Sequence, residues 1–517
     1  MARHHKRTES PVAVVTAPQT SGSVPLAEKD TSALPQSLVW ITLALLGAFS
    51  LLTFYYPTVR AFYHYQINYN EGWNLSVTRL AMEGHRALYP PATGSTVGSG
   101  YPFLSFYIVG YLSRLLGDAL LTGRLLSLLS LLLSCLLVGL IVKELVGAWG
   151  PAVFAGVFCL GLFCTLVSIY VGMDDPQMLA HPFFLLGLWL YMARPPSNPR
   201  LAGITSLFVV GGNIKHNLIP IPLAVLADLF TTSRSKAVRF IILGGIFLAL
   251  AIAANILIGG PGFLARLLGA RPYSGVTARG AFAAVYSTMG LPLALAAFWS
   301  IWQFPNRRAR VIAIYFFTSL LVGIVFAGGI GVNINTFFDN MFAMSIITGA
   351  CLDSLWKAPI PNLGRGGRLR FLVPLLLYLT VIVDFTPRFH ALPDALRELP
   401  TRQRVFSQEV AFLLKRPGPA ICENLMLCYD AGKPYTVNPF GLGVRALLRK
   451  GHTEDLLNQI AAKQFGVIET DLPVTQRSGS RFPSEVQDVI DQNYVEAFKG
   501  PDGHFYVPRQ GTVTSDK

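Results

Sequence analysis

Charged residues are scarce in this chain: Asp, Glu, Lys and Arg together make up 14% of its 517 residues. Soluble proteins carry about a quarter. Hydrophobic residues make up 52% of the sequence. The composition therefore excludes an ordinary soluble protein and predicts an integral membrane protein.

Acidic residues are the scarcer kind of charge, with 28 Asp and Glu against 42 Lys and Arg, so the formal net charge is +14. In a soluble protein, this excess would suggest a nucleic-acid partner. In a membrane protein, Lys and Arg collect in the cytoplasmic connections between spans. We therefore predict contact with membrane lipids and no nucleic-acid partner.

Cysteine is also rare, with six residues in the chain. Cys422 and Cys428 lie in a polar C-terminal part, where a disulfide is an option if that part lies outside the cytoplasm. Two free thiols are the equal alternative, and the sequence leaves both open. The other four lie inside apolar runs and are predicted to be small core residues: Cys135, Cys159, Cys164 and Cys351.

The sequence contains no glycine-rich phosphate loop, no metal-ligand spacing and no internal repeat. Residues 1–37 are polar, basic at the start, and rich in Pro, Ser and Thr. The first apolar run begins too late and is too long for a cleaved signal peptide. We predict that residues 1–37 form a disordered cytoplasmic tail.

Long apolar runs predict the membrane spans, because about 20 apolar residues cross a bilayer. The stretch 200–231 is interrupted by polar residues at 211–217, which predicts two short spans with a hinge. About eleven crossings result, and the other nine are predicted at 38–58, 119–142, 149–169, 177–193, 236–259, 281–303, 310–329, 336–356 and 370–386.

The charges give these spans an orientation. Nearly every connection on the side of the N-terminus is basic, whereas those after Tyr170 and Gly329 contain no Lys or Arg. The positive-inside rule therefore places the N-terminus in the cytoplasm and residues 387–517 outside it. We divide the chain into a tail (1–37), a membrane domain (38–386) and an extracytoplasmic domain (387–517).

Three outer segments carry further structure. Within the long first loop, residues 59–118, we predict a helix at Asn74–Gly84 and an interfacial helix at Tyr101–Gly117. Residues 260–280 are amphipathic. Residues 387–517 predict a small α/β domain, with strands at Ala420–Cys422, Leu425–Tyr429, Phe465–Glu469 and His504–Val507, and helices at Val444–Arg449, Thr453–Lys463 and Ser484–Asp491.

Polar groups recur at the outer ends of several spans. In a bilayer, a charge costs roughly 2.5–3.5 kcal/mol even on lenient scales, so such groups usually face a wet cavity. We predict one shared cavity, which an enzyme, a channel or a transporter would all need. Its candidate residues are Asn70, Glu71, Asp174, Asp175, Lys215, His216, Asn217, Asn335 and Asp339.

Each of these residues also has a structural interpretation. Asp174 could cap the helix that Pro176 begins, and Glu71 could stabilise a helix start through the dipole alone. Lys215 could extend along the lipid surface. His216 could be a packing histidine, and Asn335 or Asp339 could cap the following helix. The cavity hypothesis fails only if all these structural explanations are true together, for residues that the sequence places on the same side of the membrane.

The motifs resemble those of polytopic glycosyltransferases with the C-type (GT-C) fold, which use polyprenyl-phosphate-linked sugars. The resemblance covers about residues 38–386. Within the class, the chain is closely similar in shape to the lipid A aminoarabinose transferases and the protein O-mannosyltransferases. The order and spacing of the motifs carry it: NEGWN, LAMEG, LYPP, YPFLSFYIVGYLSRLLG, GRLLSLLS, YVGMDDPQMLAHP, KHNLIPIPLA and GVNINTFFDNMFA.

The resemblance implies an inverting sugar transfer to an acceptor hydroxyl at the outer face of a bacterial cytoplasmic membrane. The family usually has an Asp before the first-loop Glu, where this chain has Asn70. Glu71 is therefore the first candidate for the base, followed by Asp174 and Asp175. We predict that Lys215 and Arg271 bind the donor phosphate, whereas Asn70, His216, Asn217, Asn335 and Asp339 contact substrate.

The partners implied are a polyprenyl-phosphate sugar and a lipid, glycan or protein acceptor. A divalent metal at Asp174 or Asp175 stays open, as does the identity of the sugar. The alternative function is a transporter or flippase of a lipid-linked sugar, for which the polar hinge at 211–217 is one indication.

Overall fold

The structure is a computed structural model, which describes residues 36–84, 88–91, 97–358, 369–448, 453–501 and 503–510. Almost all of the predicted tail, residues 1–35, lies outside the described residues. The described chain is mostly helical, with a small sheet near its C-terminal end.

The membrane part consists of helices joined by short connections. In chain order these are α1 (Gln36–Arg60), α2 (Tyr69–Glu83), α3 (Leu104–Leu116), α4 (Ala119–Val146), α5 (Trp149–Leu166), α6 (Pro176–Ala193), α7 (Asn198–Ile214), α8 (Pro220–Thr232), α9 (Arg234–Ala254), a π-helical turn (Asn255–Gly259), α10 (Phe263–Leu267), α11 (Gly275–Tyr286), α12 (Gly290–Trp302), α13 (Arg307–Ala327), a 3-10 turn (Ile334–Phe337), α14 (Phe338–Lys357) and α15 (Val373–Leu414).

Six of the described helices are long and apolar enough to cross a membrane, or seven if one bent pair counts as a span. The predicted total of eleven is therefore not confirmed. The chain leaves the helix at Lys215 and resumes it at Pro220, so a break is present between α7 and α8, although residues 211–214 of the predicted hinge are helical.

The predicted span at 281–303 is bent. Helices α11 and α12 meet there at an angle of 94°. Helix α12 begins with Gly290, and Pro292 lies in its first turn. Because proline is tolerated in the first turn but breaks a helix interior, this sequence starts a new helix instead of continuing the previous one.

Helices α2 and α3 lie in the first long loop, residues 59–118, and pack against the rest of the molecule. Helix α2 begins five residues before the predicted start, and the Asn68 side chain caps it by accepting a hydrogen bond from the Asn70 N–H. Helix α3 is amphipathic and too short to span, as the interfacial interpretation expects. A Cβ atom at Gly72 would collide with the backbone at Met426. Glycine therefore lets α2 approach the C-terminal part closely.

The C-terminal part forms a four-stranded sheet with helices around it. Its strands are β1 (Ala420–Cys422), β2 (Val467–Thr470), β3 (Tyr494–Lys499) and β4 (His504–Pro508), and its helices are α16 (Leu425–Asp430), α17 (Pro439–Leu447), α18 (Glu454–Ala461) and α19 (Ser484–Asn493). The strand order is β1-β2-β4-β3; β1 pairs parallel with β2, and the other pairs are antiparallel.

The structure decides two questions about the C-terminal part, the predicted strand at Leu425–Tyr429 and the state of its two cysteines. The predicted strand at Leu425–Tyr429 is wrong, since these residues form α16, which the Asn424 side chain caps at the Met426 N–H. Cys422 and Cys428 are joined by a disulfide, which closes the turn between β1 and α16. The division at residue 387 stays a prediction, and α15 runs through that position without interruption.

Candidate functional site

Glu71 lies in a fully buried ion pair with Arg124 of α4. The Arg124 Nε donates to Glu71 Oε1 and its terminal nitrogen donates to Oε2, each at 2.8 Å. The Ile67 N–H also donates to Oε2, at 2.7 Å. Neither side chain is exposed. These hydrogen bonds engage both carboxylate oxygens of Glu71, which is the arrangement of a structural ion pair.

Arg124 was missed by the sequence analysis. Besides Glu71, its guanidinium donates to the carbonyl oxygens of Tyr63 and Tyr65, each at 2.6 Å. It thereby joins α4 to the chain between α1 and α2. An arginine inside an apolar run is rare unless it has buried partners. That signal, within the motif GRLLSLLS, could have identified it.

Asp174 lies directly beside this ion pair. Its backbone N–H donates to Glu71 Oε1 at 3.3 Å, and its carbonyl oxygen accepts from Asn74 Nδ2 at 2.6 Å. Its carboxylate packs on Gly123, where any Cβ atom would collide with it. Burial raises the pKa of Asp174 well above its usual range, and the neighbouring Glu71 and Asp175 charges raise it further.

A small cavity of about 10 Å³ lies between α2, α3, α4 and the start of α6. Three of its lining polar oxygens are buried and make no hydrogen bond to described residues, namely Asp174 Oδ2, Asn74 Oδ1 and Ser105 Oγ. Such atoms normally have a partner in protein or in water. Asp175 also lines this cavity and caps α6 through the Gln177 N–H at 2.8 Å. The cap is therefore Asp175, and the alternative that assigned it to Asp174 is wrong.

A second, much larger cavity of about 870 Å³ opens between the membrane part and the C-terminal part. Asn70 and Trp73 of α2 line it, together with Tyr101 before α3. Asn70 lies one helical turn from Asn74, which lines the small cavity. Since residues four apart are neighbours on a helix surface, the two cavities are adjacent along α2.

The predicted cationic residues lie at the edge of the large cavity. Arg271 lines it, and the buried Lys215 places its Nζ 3.5 Å from the centre of the Tyr101 ring. The His216 ring lies 6.0 Å from the same tyrosine. Because surrounding protein atoms desolvate this ring, its pKa falls to about 4, and the charges of Lys215 and Arg271 lower it further.

The structure does not bring all the predicted residues to the cavities. Asp339 is buried in α14, where Tyr315 donates to it at 3.1 Å. Asn335 supplies only its backbone oxygen to Gln177, at 2.6 Å. Neither of these two residues, nor Asn217, lines one of the two cavities. Their assignment to substrate binding stays a prediction without a geometric argument behind it.

The sequence left open whether a divalent metal binds at Asp174 or Asp175, and the nearby ligand side chains bear on that question. In the described part of the chain, no three or more His, Cys, Asp or Glu residues come close enough together to hold a metal ion. Asp174 and Asp175 are the two carboxylates at the small cavity. The described residues therefore supply no complete protein ligand set at this cavity, and a divalent metal that bridges Asp174 or Asp175 to the donor phosphate stays a prediction.

The C-terminal part supplies one wall of the large cavity, which the sequence analysis also missed. Asn438, Phe440, Arg445 and Arg481 lie on this wall. Tyr69 donates to Asn438 Oδ1 at 3.0 Å, and the guanidinium of Arg481 lies 4.4 Å from the centre of the Tyr69 ring. The first residue of α2 is thereby tied to the C-terminal part beside Asn70.

No family model matches the sequence, and no curated protein matches it. Solved structures resemble the fold. The apo structure of ArnT from Cupriavidus metallidurans has a TM-score of 0.61 at 12% sequence identity, covering 90% of this chain and 97% of that chain. The same protein bound to undecaprenyl phosphate gives 0.59 at 12% identity, covering 91% and 98%. The apo oligosaccharyltransferase of Archaeoglobus fulgidus gives 0.49 at 12% identity, covering 93% and 76%.

The two ArnT structures show the fold and leave the substrate undetermined. The chain has the polytopic GT-C fold, which confirms the resemblance seen in its motifs. The similarity extends over 97% of the length of ArnT.

Proposed function

We propose that this chain is a membrane glycosyltransferase that moves a sugar from a polyprenyl phosphate to the hydroxyl of an envelope acceptor. The single observation that supports this most is the pair of adjacent cavities in a GT-C fold. One contains buried carboxylates, and the other is large and lined by arginines. ArnT, which has this fold, has been solved with undecaprenyl phosphate bound.

The donor phosphate fits the edge of the large cavity near Tyr101. Lys215 and Arg271 would supply two positive charges there, and both act on the His216 ring between α7 and α8. When the bond to the sugar breaks, the lipid phosphate gains negative charge. Fixed cations at that point stabilise the transition state more strongly than they stabilise the bound donor.

For the base, the geometry favours Asp174 over Glu71. A base must reach the acceptor hydroxyl at about 2.6–3.2 Å and needs a free oxygen. Both oxygens of Glu71 are engaged by Arg124 and by backbone N–H groups. Asp174 Oδ2 makes no hydrogen bond to described residues, and its raised pKa makes the ionised carboxylate a stronger proton acceptor.

In this mechanism, the oxygen of the acceptor hydroxyl bonds to the anomeric carbon while the Asp174 carboxylate takes the proton of that hydroxyl. The bond between that carbon and the phosphate oxygen breaks, and the lipid phosphate leaves with the electron pair. Attack from the face opposite the phosphate inverts the anomeric centre. Glu71 and Arg124 act as positioning residues, because Glu71 accepts the Asp174 backbone N–H.

We further propose that the reaction occurs on the outer face of a bacterial cytoplasmic membrane. The basic connections support this orientation, since they place the N-terminus inside and the C-terminal part outside. The disulfide between Cys422 and Cys428 agrees with an oxidising compartment for the C-terminal part.

The test uses the purified full-length protein in liposomes with a panel of radiolabelled polyprenyl-phosphate hexoses and pentoses. The acceptor is an envelope extract from cells in which the gene is deleted. Covalent transfer of label that is lost in the D174N variant supports the proposal. Movement of the donor across the bilayer without covalent transfer would instead support the flippase.

A further inference from the structure

The large cavity is strongly cationic. Among the described residues that line it, four are arginines and none is an aspartate or glutamate: Arg266, Arg271, Arg445 and Arg481. Like charges around one cavity repel one another, and they do so more strongly where protein replaces water. A bound anion would offset this repulsion, so the cavity is built for negative charge.

Two carboxylates outside the cavity lining hold Arg481 in place. It pairs with Glu423 at 3.4 Å and with Asp471, and its guanidinium lies beside the Tyr69 ring. These contacts offset part of its charge and fix its orientation. Because the side chain is already ordered, binding an anion would cost little further conformational entropy.

Arg445 of α17 faces the same space as Arg266 from the membrane part. Burial lowers the pKa of Arg266, and the positive charge of Arg445 lowers it further. The Arg266 Nε donates to the Pro90 carbonyl oxygen at 2.8 Å, which fixes this side chain on the membrane-part wall. Both walls therefore contribute an arginine to the cavity lining, and the two lie near enough for their charges to interact.

We propose that Arg266, Arg445 and Arg481 form a subsite for an oxyanion group of the acceptor, separate from the donor-phosphate position at Lys215 and Arg271. This inference rests on the proposed function, because it identifies the acceptor of that reaction as anionic. Guanidinium forks bind phosphate and carboxylate oxygens in pairs. A volume of about 870 Å³ suits a headgroup or a short glycan.

The test measures binding of two probes to the full-length protein in detergent by isothermal titration. Inorganic pyrophosphate represents a phosphate-bearing acceptor, and citrate represents a carboxylated one. All titrations use a K215Q background, which weakens the donor position. The probe that binds more tightly identifies the oxyanion.

Arg445→Gln should weaken binding of the preferred probe about tenfold or more, since a charged hydrogen bond is lost. Arg445→Lys keeps the charge and should retain most of the affinity. The matched control is Arg404→Gln, at an exposed arginine of α15 that does not line the cavity. This control should bind like the parent protein.

Equal binding by the R445Q variant and its parent would overturn the subsite, as would loss of all binding in the K215Q background. If R445Q does not fold, salt dependence of the parent protein replaces it, and an affinity that salt leaves unchanged overturns the proposal. Sugar transfer is measured separately. Probe binding that depends on Arg445 without any transfer refutes the proposed enzyme alone, whereas transfer without such binding refutes the subsite alone.

Discussion

Glu71→Gln distinguishes a structural ion pair from a catalytic base. In the structure, the Glu71 carboxylate and the Arg124 guanidinium are both fully buried and joined by two hydrogen bonds of 2.8 Å. Glutamine keeps the size of the side chain but removes the negative charge. A buried arginine without its counter-charge typically costs about 3–5 kcal/mol of folding free energy.

We therefore expect the E71Q variant to unfold at a clearly lower temperature than the parent protein. Glu71 contacts Asp174 only through the backbone N–H. Transfer by the folded fraction should therefore fall by less than the roughly 10²–10⁴-fold that loss of a base costs. The assay is thermal unfolding in detergent, followed by tryptophan fluorescence, together with single-turnover transfer at a temperature where the variant is folded.

The matched control is Glu83→Gln, which removes an exposed carboxylate from the last turn of the same helix. It should leave both unfolding and transfer unchanged. A double-mutant cycle with Arg124→Gln should show that the two losses of stability are not additive, because the residues share one interaction. An E71Q variant with the thermal stability of the parent and no transfer at all would refute this reasoning and restore Glu71 as the base.

Three further predictions address the carboxylate cavity and the C-terminal part. D174N should reduce transfer by about 10²–10⁴-fold. In the parent protein, transfer should increase as pH rises through the raised pKa of Asp174, because the base acts when ionised. A transfer rate that depends neither on pH nor on this substitution would refute the assignment. Gly123→Ala should displace the Asp174 carboxylate and reduce transfer likewise, whereas Gly203→Ala, with no neighbouring atom within 4 Å, should not; equal activities would contradict the close packing. Under denaturing conditions, an alkylating reagent should label four of the six cysteines before reduction and all six afterwards, and six labels without reduction would exclude the disulfide.

Local sequence patterns predicted much of the helical architecture, and the failures have physical causes. The polar hinge between α7 and α8 was readable because it interrupts an apolar run. The bend between α11 and α12 was not, since hydropathy alone does not register that Gly290 and Pro292 restart a helix. The segment Leu425–Tyr429 was predicted to be a strand because it is short and apolar, but the cap at Asn424 makes it helical.

The site was harder to predict because its contacts join distant parts of the chain. Asp174, Lys215 and Arg271 were predicted from their charge and position, and they lie in or beside the two cavities. The ion pair of Glu71 joins residues 53 positions apart, and the hydrogen bond from Tyr69 to Asn438 joins residues 369 positions apart. No periodicity in the sequence reports contacts of that range.

The geometry of α2 also gives a reason for asparagine at position 70. An α-helix turns by about 100° per residue, which directs Glu71 and Asn74 to one side of α2 and Tyr69 and Trp73 to another. Asn70 lies between these two sides, lining the large cavity one turn from Asn74 of the small one.

An aspartate at position 70 would add a negative charge beside three carboxylates that already lie close together, those of Glu71, Asp174 and Asp175. A further negative charge at short range would raise the pKa of Asp174 still more and keep this carboxylate protonated. Arg124 compensates only Glu71 directly. A neutral side chain at position 70 therefore lets Asp174 ionise more readily, which is what a base there requires.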